Sequence, residues 1–271
     1  MKLSIGKAWE EASAFLAREG RLVAPVALAL FALPSTLVNW AFPGEGATGG
    51  NGLGGVLLML LVLLVVMVGQ MTIVLLSIGW NGKLADALRQ AVRRIGALLA
   101  ASLIVFLPLA VAAVLALGFI LATNGLTDPA QLTPETLAQM PAVRWVLVLL
   151  VVVLIVIGTR VFPLSAVAAS EPGGPFSLLK RTFALTKGNF WRLLALLLLI
   201  GTAGAIADRA VTSVVGSISV LAVGEIRALS LSALLVALAS GVVGALVSSV
   251  SAAMIGRVYV QLSRTSGTAA A

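Results

Sequence analysis

The side chains able to do chemistry are few, and they lie far apart. Arg160 is the most conspicuous. It follows Val146–Ile157, a run with no polar side chain, and precedes Pro163. An arginine at membrane depth is costly, so it is kept either with a partner in a functional role or where it can snorkel to headgroups. Glu171 is the nearest partner in sequence, and a break at Pro163 would fold the chain back far enough to form an Arg160–Glu171 pair. Both readings of Arg160 stand at this level. There is no histidine and no cysteine. The commonest general base, the commonest metal ligand and every thiolate are therefore absent. The adjacent carboxylates Glu10 and Glu11 fall on the polar side of a surface helix, while Glu45, Asp128, Glu135, Asp208 and Glu225 scatter through connections. No glycine-rich phosphate loop ending in Lys-Ser or Lys-Thr occurs. The expectation is no catalytic constellation, no metal, no cofactor and no enzyme.

The elements that would position these groups follow from composition. Of 271 residues, 60% are hydrophobic and 10% charged, against roughly 45–50% and about 25% in a soluble domain. One soluble core cannot hide that much apolar surface, and lipid is the natural solvent. A backbone in hydrocarbon must satisfy its own hydrogen bonds, so long apolar runs become helices. The runs predict six spans, at 22–42, 54–80, 97–123, 143–168, 189–213 and 228–261. Solid apolar runs disfavour a β-barrel, which would alternate in polarity. Pro25, Pro34 and Pro108 fall within spans, as does Gln70, whose amide suits a hydrogen bond to a neighbouring helix or a transport path.

Cations orient the chain. One set of alternate connections carries Lys2, Lys7, Arg18 and Arg21, then Lys83, Arg89, Arg93 and Arg94, then Lys180, Arg181, Lys187 and Arg192, and last Arg257 and Arg264. The other set carries only Arg144, Arg209 and Arg227. Both termini are therefore expected in the cytoplasm. The acids divide evenly and carry little weight. Residues 1–21 contain Glu10, Glu11 and Glu19, which argues against a cleavable signal peptide. The net charge of +8 reads as loop charge meeting anionic headgroups rather than nucleic acid. Trp9, Trp40, Trp80, Trp145 and Trp191 fall near expected interfaces.

The basic connections resemble one another. Each is an amphipathic stretch that ends in glycine before a span, with the same separation from Gly6 to Gly20, Gly82 to Gly96 and Gly174 to Gly188. In the first, Ile5, Ala8, Trp9, Ala12, Phe15 and Leu16 recur at helical spacing. Such helices lie in the interface, apolar side toward acyl chains and cations toward headgroups. The resulting expectation is an all-α polytopic membrane protein. It would form a single membrane domain over 1–271 with three helix–span–span units, roughly 1–80, 81–169 and 170–262, and a short disordered tail at 263–271. Gly188 would stop the third interfacial helix and Asn189 would cap the following span. In the sixth span, Ser240, Gly244, Ser248, Ala252 and Gly256 recur every four residues, with Gly241 beside them, and predict a close helix–helix seam. Connections are expected at 43–55 (glycine-rich), 124–142 (with a short helix at 134–140) and 214–227 (apolar, at the interface).

The stretch from Arg160 to Trp191 combines Arg160, Pro163, Glu171, a basic amphipathic helix and Leu185-Thr186-Lys187-Gly188-Asn189-Phe190-Trp191. It resembles the membrane-domain family associated with glycerophosphodiester phosphodiesterases and related six-helix bacterial membrane proteins. Thr182-Phe183 departs from the pattern, which would place something like Ser-Trp there. The resemblance implies a protein of the bacterial cytoplasmic membrane, concerned with envelope lipid. It does not carry the phosphodiesterase activity, which in those fusions belongs to a separate soluble barrel with histidine and carboxylate metal chemistry. The implied role is a non-catalytic scaffold or accessory module acting on lipid or a membrane protein partner. The alternative is a transporter, channel or lipid translocator, motivated by the repeated two-span units, the prolines and Arg160. Reporters fused at either end of the chain should both read cytoplasmic in a phosphatase–fluorescence pair, and a split result would overturn the charge-based orientation.

Overall fold

The computed structural model describes residues 3–43, 53–80, 83–124 and 139–267. The connections expected at 43–55 and 124–142, including the short helix at 134–140, fall almost wholly outside these residues. The chain is helical, with no strand among the described residues. It forms α1 (Ile5–Ala27), a π turn (Leu28–Ala32), α2 (Leu33–Ala41), α3 (Leu53–Ile78), α4 (Leu84–Thr123), α5 (Pro141–Val161), α6 (Leu164–Ser170), α7 (Pro175–Thr186), α8 (Phe190–Val223) and α9 (Leu231–Gly267). Six helical segments are long and apolar enough to cross a membrane. The protein is an all-α, multi-pass membrane protein.

Two of the three expected interfacial helices are not separate elements. Segment Ile5–Ala41 is one continuous rod of 37 residues, and Gly20 lies inside it. Segment Leu84–Thr123 is a single helix of 40 residues that passes through Gly96. At about 1.5 Å per residue it is roughly 60 Å long, twice the hydrocarbon thickness. Glycine costs a helix interior only about 1 kcal/mol, and the helix formers on either side of Gly20 and Gly96 override it. Only the third unit breaks as expected: α7 ends at Thr186 and Gly188 takes φ +83°, a left-handed conformation that glycine adopts without a Cβ penalty. The tail and the last external connection also differ. Helix α8 continues to Val223, leaving a connection of 224–230 rather than 214–227, and α9 continues to Gly267.

Proline shapes the first rod. Pro25 removes a donor inside α1, and the ladder widens to the π turn three residues later. Ser35 Oγ then donates to the Phe31 and Ala32 carbonyls at 2.6 and 3.0 Å, the kind of side-chain help that lets membrane helices carry prolines. The far end of this rod is tied to the start of α9. Trp40 Nε1 donates to the Ser230 carbonyl, and the Leu229 amide donates to the Trp40 carbonyl, both at 3.0 Å.

Helix α9 is the axis of the bundle, packed against α1, α2, α3 and α8. Its buried face reads Ala233, Ala237, Gly241, Ala245, Ser249, Ala252, Ala253 and Gly256, one residue on from the predicted stripe over most of its length. Of that stripe, Ala252 and Gly256 are buried, Ser240 and Ser248 are half-buried, and Gly244 is exposed with open space around it. The shift arises because two neighbours share the axis. A Cβ on Gly241 would press on the Thr36 hydroxyl and lie 3.0 Å from the Ala32 carbonyl, while one on Gly256 would press on the Ser77 hydroxyl and lie 3.1 Å from the Val74 carbonyl. Elsewhere lipid supplies the packing. Helix α4 buries Ala87, Ala91, Leu98 and Ala101 but leaves Leu107, Val111, Leu115 and Phe119 exposed on its apolar half. Replacing Gly241 or Gly256 by leucine should cost about 1–3 kcal/mol through overpacking, whereas Gly244→Leu should stay within about 0.5 kcal/mol. Unfolding of the purified variants in mixed micelles checks the contrast, and equal sensitivity at all three glycines would refute the seam.

Candidate functional site

The end of the bundle that carries most cations, here the basic end, also holds the densest polar network. Its centre is prepared by α6. After α5 stops at Val161, Phe162 and Pro163 turn the chain into a helix of sequence LSAVAAS, in which Leu164 through Ala169 are all buried. Small side chains let this short helix sit against α3 and α4. Gln90 Nε2, from α4, donates to the Ala169 carbonyl at 2.9 Å. Glu171 then leaves the helix in an extended conformation, and Pro175 starts α7 at the first helical turn, where a missing N–H costs nothing.

Glu171 is the hub. Both of its carboxylate oxygens accept from Arg181 Nε at 3.2 Å, and Oε1 also accepts from the Tyr259 hydroxyl at 2.8 Å. The carboxylate therefore joins the end of α6 to α7 and α9. A half-exposed ion pair alone contributes up to about 1 kcal/mol. The tyrosine hydrogen bond to a charged acceptor contributes about 1.5–3 kcal/mol. A second knot lies beside it. The Leu3 amide donates to Asn189 Oδ1 at 3.3 Å, Arg192 Nη1 donates to the Leu3 carbonyl at 2.6 Å, and the Ser4 amide donates to Gln261 Oε1 at 3.3 Å.

This geometry corrects the expected Arg160–Glu171 pair, which does not form. Pro163 does break the chain, but the α6 turn delivers Glu171 to Arg181 and Tyr259. Arg160 instead lies over the Phe190 ring, 5.3 Å from its centroid. Such a contact stabilises a guanidinium through the negative face of the ring. Asn189 sits at the cap position of α8, yet its side chain does not cap the helix and takes the Leu3 amide instead. Thr186 is buried, with its hydroxyl donating to the Thr182 carbonyl at 3.1 Å, and Trp191 is 77% exposed. The role of Tyr259 was invisible in sequence, because no local spacing links it to Glu171.

Three concavities complete the picture. A cavity of about 500 Å³ at membrane depth is lined by Gln70, Phe106, Gly158, Gly201, Gly204 and Ser251. Gln70 makes no hydrogen bond among the described residues, against the interhelical bond the sequence suggested. A groove of about 580 Å³ at the opposite end holds Asp208, Arg209, Thr212 and Ser240. Asp208 lies within α8 rather than in a connection, and its Oδ1 accepts from Ser240 Oγ at 2.6 Å. At the basic end, Trp80, Asp86, Arg89, Gln90, Arg93 and Arg94 surround a cleft of about 420 Å³. Among the described residues no three carboxylates gather as a metal site would require.

No family model, curated protein or solved structure matches the chain.

Glu171→Gln and Tyr259→Phe should be coupled by about 1 kcal/mol or more, because they share one charged hydrogen bond. Glu171→Gln and Arg160→Ala should be additive within about 0.5 kcal/mol, because their side chains do not meet. Double-mutant cycles on unfolding free energy in mixed micelles measure both, and strong Arg160–Glu171 coupling would restore the pair the sequence suggested.

Proposed function

We propose that this chain is a non-catalytic protein of the bacterial cytoplasmic membrane, with both termini in the cytoplasm, whose basic end gathers anionic lipid and so organises envelope lipid or a membrane protein partner there. One observation carries the reading. The half-buried Glu171 carboxylate of the basic end is already consumed internally by Arg181 and Tyr259, while Lys83, Arg93, Arg94, Lys180 and Lys187 make no ion pair among the described residues. Cations left unneutralised at headgroup depth are each worth about 1 kcal/mol against an anionic surface. The likeness of Arg160–Trp191 to phosphodiesterase-associated membrane domains supports the same direction. In this chain those residues build the Glu171 hub and the Leu3 clasp rather than a reactive site.

A second reading, a transporter, channel or lipid translocator, has its own observation. Gln70 presents an amide without a protein partner to the membrane-depth cavity, where an unmet polar group is costly. The groove around Asp208 continues along the same face of α8, since 197, 201, 204, 208 and 212 follow at helical spacing.

One preparation separates the two. Native nanodiscs cut from bacterial membranes should retain phosphatidylglycerol or cardiolipin above its bulk fraction. The enrichment should fall as salt rises, because screening shortens to about 8 Å at physiological ionic strength. It should also fall when Lys180 and Lys187 become serine. A bulk-like lipid composition would overturn the first reading. Movement of labelled lipid across reconstituted liposomes, lost in Gln70→Leu, would install the second.

A further inference from the structure

The cleft between the end of α3 and the first turns of α4 has the makings of a discrete site. Helix α3 stops at Ile78, and Gly79 takes φ +107° to turn the chain. Trp80 follows at once, and its indole N–H is shielded from solvent with no hydrogen-bond partner. Across the cleft, α4 presents Asp86, Arg89, Gln90, Arg93 and Arg94. Asp86 and Arg89 meet at 3.9 Å and partly neutralise each other. Arg93 and Arg94 have no acidic partner among the described residues. Gln90 is fixed by its bond to the Ala169 carbonyl, so one wall of the cleft is rigid.

Arg93 and Arg94 are donors awaiting an acceptor. A guanidinium is planar, permanently charged and matched to phosphate oxygens in pairs. The depth is also set. Arg93 and Arg94 come one turn before the apolar stretch that opens at Ala97, and Trp80 directly follows a span. That places the cleft at headgroup level. Asp86 weighs against a free phosphate dianion, and its carboxylate can accept from a headgroup hydroxyl instead.

We propose that this cleft binds the phosphate of an anionic, hydroxyl-bearing phospholipid, with Arg93 and Arg94 on the phosphate oxygens. The assignment rests on the headgroup reading above and narrows it from a basic surface to one site.

The test uses the purified full chain, stripped of lipid in neutral detergent. It is titrated with short-chain phosphatidylglycerol, short-chain phosphatidylcholine or inorganic phosphate and followed by native mass spectrometry. Phosphatidylglycerol should bind saturably, and R94A should weaken it by about tenfold, the loss of one charge-assisted bond. R93A should act similarly, whereas R227A, at the opposite end of the bundle and paired there with Glu225, should leave binding unchanged. R94K keeps the charge and serves if R94A fails to fold, with affinity falling because the paired contact is lost. Inorganic phosphate binding as tightly as the lipid would keep the phosphate site and overturn the lipid assignment. No saturable binding of either, or full affinity in R93A and R94A, would overturn the site. Nanodiscs of wild type that fail to enrich anionic lipid remove the broader reading as well. Enrichment that persists in an R93A/R94A double variant removes this cleft alone.

Discussion

Apolar helices gain nothing by leaving lipid for one another, so this bundle coheres only where backbones come close enough for dispersion and interhelical hydrogen bonds to accumulate. Helix α9 makes that possible. Its row of alanine, glycine and serine admits the first rod at Gly241 and α3 at Gly256, and the remaining helices assemble around those two contacts. Large side chains are then free to face acyl chains, which explains how an intact fold leaves Leu115, Phe119 and Leu199 exposed.

The same constraint sorts the polar groups. Several of those that leave water are used up internally. Glu171, Arg181 and Tyr259 close on one another, Asn189 and Arg192 take the backbone of Leu3, and Arg160 rests on an aromatic face. Those that remain cationic and open collect at one end. A basic end that spends its half-buried carboxylate, Glu171, on architecture and leaves Arg93 and Arg94 without an acidic partner among the described residues is arranged for a partner that brings negative charge. The proposals for lipid gathering and for the Trp80 cleft both start from that imbalance.

The spans and their order were legible because hydropathy over about twenty residues is a strong, local signal. Helix ends were less so. Gly20 and Gly96 look like Gly188 in spacing, yet only Gly188 takes a left-handed φ. Whether a glycine stops a helix depends on what the following residues can gain, and that is a tertiary question. The seam on α9 was visible as a small-residue stripe but displaced by one position, because the stripe records which residues are small and not which neighbour arrives. Arg160 and Glu171 were the right residues to notice and the wrong pair. Their true partners, Phe190 and the Arg181–Tyr259 couple, come from other helices, and no spacing rule reaches from 171 to 259.

The clasp around residues 3 and 4 bears on biogenesis. Leu3 is buried and held by Asn189 and Arg192, and Ser4 is held by Gln261. Earlier segments of a chain emerge from the ribosome before later ones, so the bonds of Leu3 wait for the start of α8 and that of Ser4 waits for α9. Quality control that samples the nascent protein would therefore meet the segment around Leu3 and Ser4 unclasped until α8 and α9 are both in place.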